Sequence, residues 1–161
     1  VDKQAPVSGR ASILDLDCLF TGRKRLGEPM TFQLGIDVPF TSLCPCSKEI
    51  SAYGAHNQRS VSRVQLRFRR GIECIYIEDL ALLLEKQGSS PIYPLLKRED
   101  EKYVTERAYE NPKFVEDILR DTVLALRGLE GLAWFSIECE NYESIHNHSA
   151  FASHEETLAE A

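Results

Sequence analysis

Residues 30–38, MTFQLGIDV, put Met30, Phe32, Leu34, Ile36 and Val38 on one side of an extended chain and Thr31, Gln33, Gly35 and Asp37 on the other. Such alternation marks a half-buried β-strand. Upstream, Leu14, Leu16, Cys18 and Phe20 repeat at the same period, and the turn-like segment from Gly22 to Pro29 joins the two runs, which predicts a β-hairpin. Downstream, Val64, Leu66 and Phe68 alternate with Arg63, Gln65, Arg67 and Arg69, a third strand with a basic outer face. After Gly71 the period lengthens. Ile77, Leu80, Ala81 and Leu84 fall at helical spacing, with Gly88 where a terminating glycine belongs. Asn111 and Pro112 read as N-cap and first residue of a second helix, whose stripe is Val115, Ile118, Leu119, Thr122 and Leu126. Phe135, Ile137 and Cys139 then alternate as a further strand, and Phe151 falls on a last one. This order predicts an α+β fold, with helices laid on one face of a mainly antiparallel sheet.

The chain has 161 residues, enough for one domain with a substantial core, here residues 1–161 with an acidic flexible tail or short helical end over 153–161. A net charge of −6 argues against binding nucleic acid or an anionic membrane by bulk charge. No apolar run nears the roughly 20 residues of a membrane-spanning helix. The start, VDKQAPVSGR, lacks a secretory apolar region and an initiating Met, and reads as a fragment or processed product. Five cysteines without a disulfide-rich pattern suit a reducing, cytoplasmic setting, with Cys18 and Cys139 expected in the core.

The densest chemistry lies in residues 41–60, TSLCPCSKEISAYGAHNQRS, read as a polar loop between strands. Cys44, Cys46 and His56 are donors suited to zinc or a similar ion, and equally fit buried thiols beside a surface histidine. In ENYESIHNH, His146 and His148 would share one strand face as ligands or proton carriers, or stand as solvated loop residues. Glu101 and Glu116 offer carboxylates, although Glu116 stands four residues before Arg120, a spacing that accounts for it structurally. Arg59, Arg63, Arg67 and Arg69 could meet phosphates, form a solvated strand face or make a subunit contact. Walker A, G-x-G-x-x-G, G-x-S-x-G and H-E-x-x-H motifs are absent from the sequence.

SLCPCSKEISAYGAHNQRS, LLKREDEKYVTERAYENPKFVEDILRD and ENYESIHNHSA, in that order and with APVSG near the start, resemble the C-terminal half of GTP cyclohydrolase IB. The resemblance runs from Ala5 to Phe151. It implies a tunnelling-fold unit, a four-stranded antiparallel sheet with two helices on one face, assembled into a homotetramer. It also implies conversion of GTP and water to 7,8-dihydroneopterin triphosphate and formate, the first step of tetrahydrofolate synthesis. A divalent metal (zinc, manganese or iron) would be held by Cys44, His56 and Glu101. Cys46, His146, His148 and Glu116 would serve catalysis, and Glu143, Arg59 and Lys97 would bind substrate. The competing expectation is a noncatalytic module that binds a purine or pterin, or only pairs with another subunit.

Overall fold

The computed structural model describes residues 1–71 and 75–159, so Cys74 lies outside the described residues. Its elements, in chain order, are β1 (Asp2–Gln4), β2 (Ala11–Ile13), β3 (Asp17–Arg23), β4 (Thr31–Leu43), α1 (Pro45–Ile50) and β5 (Asn57–Phe68). There follow α2 (Ile77–Glu85), β6 (Ser90–Pro91), α3 (Arg98–Glu110), α4 (Val115–Arg127), β7 (Leu132–Asn141) and β8 (Ala150–Thr157). The main sheet runs β3-β4-β5-β7-β8, every pairing antiparallel, with the short β6 on β4. The α+β class is therefore as expected. The sheet is larger than the four strands anticipated, and the described helices number four rather than two.

Residues 31–38 form the first part of β4, and Met30 and Phe32, expected on its apolar face, are exposed because they lie at its outer end beyond the helix-covered layer. Leu34, Ile36, Val38 and Phe40 are buried against Val64 and Leu66 of β5, Phe135, Ile137 and Cys139 of β7, and the apolar stripes of α2 and α4. Burying each such large side chain contributes on the order of 1.5–3 kcal/mol, and this layer joins the helices to the sheet. The stripe expected on the second helix is correct at Val115, Ile118, Thr122 and Leu126, all buried.

Several local expectations are corrected. The run from Ser12 to Phe20 is broken, because β2 pairs with β1 in a separate two-stranded sheet and β3 begins at Asp17. Cys18 is exposed, because β3 is an edge strand that the helices do not cover. Gly88 does not end α2, whose C-cap is Lys86. It is small because Phe40 packs against it: a Cβ there would stand 2.4 Å from Phe40 Cδ2. Asn111 ends α3 rather than starting α4, and its Nδ2 donates to the carbonyl oxygens of Gly88 and Ser89. The N-cap of α4 is Phe114, whose N–H donates to Asp117 at 3.1 Å. Residues 153–157 are strand, since β8 pairs with β7 along its length, with Arg127 of α4 bound to Glu156.

Helix α3 escaped the periodicity because its sequence, REDEKYVTERAYE, buries only Asp100 and Ala108. Asp100 anchors it. The carboxylate accepts from the N–H groups of Val7 and Ser8, from Ser8 Oγ at 2.6 Å, and from the Lys97 N–H. Burial pushes this carboxyl up, but the four donors outweigh it and hold it well below the usual carboxylate range. The APVSG segment is thereby tied to α3. Lys3 and Glu85 form a buried ion pair that joins β1 to α2; losing one partner of such a pair typically costs about 3–5 kcal/mol.

Candidate active site

The β4–β5 ladder ends at the pair Leu43 and Asn57, so Cys44 and His56 face each other across the ends of the two strands. The Cys44 N–H donates to the His56 carbonyl at 3.1 Å. Between them lies α1, where a polar loop was expected. Pro45 occupies its first turn, and the Cys44 thiol caps it by accepting the Ser47 N–H at 3.5 Å. Ser47 Oγ accepts the His56 N–H at 3.2 Å, closing the connection on itself.

Beneath this connection the inward face of β5 turns polar. Gln58 and Ser60 are buried, continuing the face that carries Val64 and Leu66. Gln58 Nε2 donates to Ser42 Oγ at 3.0 Å and, more weakly, to Glu143 at 3.4 Å, while Ser60 Oγ also donates to Ser42 at 2.7 Å. With its NH₂ so used, Gln58 presents Oε1 to His56 Nδ1 at 3.0 Å, an acceptor that requires the proton on Nδ1. The lone pair of His56 is thus on Nε2. A carbonyl partner on the other ring nitrogen is the usual support of a metal-binding imidazole.

The β7–β8 connection, residues 142–149, comes to the same end of the sheet, since Asn141 pairs with Ala150 and the Tyr142 N–H donates to the Arg59 carbonyl. Ser144 Oγ lies 3.1 Å from His56 Nδ1 and Glu143 reaches Gln58, so the two sequence motifs are hydrogen-bonded together. His146 and His148 are exposed on this loop rather than on a strand. Their rings nevertheless stack, with centroids 5.1 Å apart.

A cavity of about 170 Å³ opens beside Cys44, lined by Gln58, Lys113, Glu116, Asn141 and Glu143 among others. Glu116, in the first turn of α4, is not paired with Arg120 as its spacing suggested; Arg120 binds Asp117. Lys113 Nζ is held by Asp121 at 2.7 Å and the Gln87 carbonyl.

Other expected residues stand elsewhere. Glu101 is exposed on the first turn of α3, and Cys46 is exposed on α1. Among the described residues no three or more His, Cys, Asp or Glu side chains come together to hold a metal. Cys44 and His56 fit a zinc-like ion as two of its ligands, one thiolate and one imidazole. The described chain does not bring Glu101 to them. Lys97 is exposed at the N-cap of α3. Arg59 is exposed on the sheet face opposite Gln58, in a depression shared with Asp17, Asp37, Arg63 and Tyr142. The other arginines have structural partners: Arg63 holds Glu140 at 3.0 Å, Arg67 covers Trp134, and Arg69 binds the Ala159 carbonyl. Cys139 is in the core as expected, its thiol pushed up to about 11 by burial despite the contact with Ser62.

Gln58, Ser42 and Asn141 were missed by sequence reasoning. The signal was the switch of one strand face from Val64 and Leu66 to Ser62, Ser60 and Gln58.

A family model described as GCHY-1, type I GTP cyclohydrolase folE2, matches residues 1–152 and singles out no half of the family. GTP cyclohydrolase FolE2 of Pelobacter propionicus is 56% identical over 153 residues, 95% of this chain and 58% of that protein. That of Geobacter sulfurreducens is 56% identical over 161 residues, 100% of this chain and 60% of that protein. The protein of the same name from Magnetococcus marinus is 50% identical over 152 residues, 94% of this chain and 56% of its own length. The chain therefore spans less than two thirds of the length of these relatives. Among the described residues no helix is long and apolar enough to cross a membrane. Identity of this extent, with a family match across almost the whole chain, means that the chain belongs to the type I GTP cyclohydrolase family.

Proposed function

We propose that this chain carries the reaction centre of a GTP cyclohydrolase, which converts GTP and water to 7,8-dihydroneopterin triphosphate and formate at the start of tetrahydrofolate synthesis. The observation that carries the reading is the hydrogen-bonded junction at Gln58, which links the histidine of one motif to the glutamate of the other beside a single cavity. Cys44 and His56 would hold the divalent ion, zinc, manganese or iron, with a third ligand such as Glu101 brought from outside this arrangement. A bound ion of this kind supplies a more acidic water and a positive charge against the developing negative charge.

The chain's own residues do the rest. Gln58 keeps His56 in the Nδ1–H form and leaves Nε2 to coordinate. Glu143 is placed to accept from guanine N1–H and one hydrogen of the exocyclic amino group, a bidentate match for a carboxylate. Glu116 lines the same cavity and is a second carboxylate for the base or for proton transfer. His146 and His148 would carry protons during opening of the imidazole ring, a task for which an imidazole, donor at one nitrogen and acceptor at the other, is suited. Arg59 and Lys97 lie away from the cavity, so they would meet the triphosphate of a GTP bound across a subunit boundary.

The tunnelling-fold reading rests on the helix-covered antiparallel sheet, and assembly rests on its edges. The edge strand β3 exposes Leu19 and Phe20, with Met30 and Phe32 exposed beside them. Open edges of this kind call for a partner strand, and a homotetramer in the reducing cytoplasm is the assembly proposed. The test is an assay of the purified chain with GTP and added Mn²⁺ or Zn²⁺, following formate and the fluorescence of oxidised neopterin. Release of both supports the enzyme. An oligomeric, metal-loaded sample that binds GTP without releasing formate would instead mark a noncatalytic binding module.

A further inference from the structure

One buried polar atom at the cavity has no use in the mechanism so far. Asn141 is 3% exposed and lines the cavity with Cys44, Glu116 and Glu143, yet its Oδ1 has no hydrogen-bond partner among the described residues. Folded proteins pair nearly all such atoms, so an orphan on a side chain that lines a cavity points to a donor that arrives with a ligand. Asn141 is also rigidly held. It ends β7, paired with Ser60 of β5 on one side and Ala150 of β8 on the other, and alternation with Cys139 and Ile137 directs it to the helix-covered face.

The chemistry of the surrounding groups narrows the ligand. Glu116 and Glu143 present carboxylate oxygens. The nearest donors are largely engaged: Lys113 Nζ gives two of its three hydrogens to Asp121 and the Gln87 carbonyl, and Gln58 Nε2 gives its hydrogens to Ser42 and Glu143. The cavity therefore offers acceptors in excess and complements a ligand edge rich in N–H groups. A guanine base has such an edge. A carboxylate that takes N1–H and one amino hydrogen leaves the second amino hydrogen unmatched.

We infer that Asn141 Oδ1 accepts this second hydrogen of the guanine exocyclic amino group and so selects guanine over bases that lack the amine. The inference rests on the guanine reading above and adds the residue that enforces it. An analogue without the amine leaves the buried oxygen unpaired, which is how a polar site rejects a ligand lacking the group it was built for.

The test is titration calorimetry of GTP and ITP, which differ by the amino group, against the parent chain, Asn141→Leu and Asn141→Gln without added metal, with thermal unfolding of each. The parent should prefer GTP. Asn141→Leu should weaken GTP about tenfold, the size of one hydrogen bond, and leave ITP unchanged, while Asn141→Gln, which keeps a carboxamide oxygen without adding a carboxylate beside Glu116 and Glu143, retains the preference. Equal weakening of both nucleotides, or an unchanged ratio in Asn141→Leu, overturns the assignment and leaves the cyclohydrolase reading to its own assay. If Asn141→Leu does not fold, the Asn141→Gln ratio decides, since equal affinities for GTP and ITP in that variant would remove the oxygen's role. A parent chain that binds neither nucleotide overturns the guanine pocket and this inference together.

Discussion

Replacing Gln58 by Leu removes one side chain that holds three groups. The lost contacts are the His56 Nδ1–H bond at 3.0 Å, the bond to Ser42 at 3.0 Å and the long one to Glu143 at 3.4 Å. Ser42 keeps the Ser60 hydroxyl at 2.7 Å, and His56 can fall back on Ser144 Oγ at 3.1 Å, so no group is left wholly orphaned. Two good hydrogen bonds at about 0.5–1.5 kcal/mol each give a loss of roughly 1–3 kcal/mol. At about 2–4 °C per kcal/mol for a chain of this size, the melting temperature should fall by about 2–12 °C. The fold should survive. Zinc affinity should fall further than stability implies, by about 10–100-fold, because the partner of a coordinating imidazole sets its tautomer and orientation. Competition against a chromogenic chelator measures the affinity, and ¹⁵N shifts of the His56 ring in the metal-free protein report the tautomer. Gln58→Glu is no conservative control, since it would set a second carboxylate beside Glu143. A folded Gln58→Leu protein with the parent's zinc affinity and an unchanged Nδ1–H tautomer would refute the role given to this residue.

Asp100, held below its ordinary pKa by four donors, contributes stability that is present above the unfolded carboxyl value of about 4 and is lost as pH falls below it. Thermal melts of Asp100→Asn should accordingly show a lower melting temperature at pH 7 and a shallower decline in acid than the parent; parallel curves would contradict this. Gly88→Ala drives a methyl into Phe40, which is fully buried, and overpacking of that kind costs about 1–3 kcal/mol; a denaturant midpoint equal to the parent's would show that the contact yields freely. Cys44→Ala should lose bound zinc by mass spectrometry while Cys18→Ala keeps it, and because Cys18 is exposed its removal should shift stability by no more than about 0.5 kcal/mol. Equal metal loss in the two would mean that folding was being measured. His146→Ala should lower formate release by about 10²–10⁴ with bound metal retained; a near-normal rate removes His146 from proton transfer.

The parts of the fold legible in the sequence are those where one face meets the core and the other does not. Residues 34–38, the strand through Leu66 and the stripe from Val115 to Leu126 are of this kind, because alternation or helical spacing is the imprint of one-sided burial. Helix α3 was illegible for the complementary reason: it is charged on nearly all sides and is secured by Asp100, whose partners Val7 and Ser8 lie far away in sequence. The tail was misread because SHEET carries the polar alternation of an edge strand, and only pairing with β7 makes it a strand.

By itself the sequence determined the α+β class, the inward faces of the central strands and the motifs that hold the thiol, the imidazoles and the carboxylates. These follow from local spacing and from residue type, which need no knowledge of where other segments lie. Tertiary structure alone decided that Cys44 and His56 close the same strand pair, that Gln58 joins His56 to Glu143, and that Glu101, Lys97 and Arg59 stand apart from that junction. It also decided that Asn141 Oδ1 is buried without a partner. Each of these depends on which strands become neighbours, and neighbours are chosen by the shared hydrophobic layer rather than by the polar residues that the layer brings together.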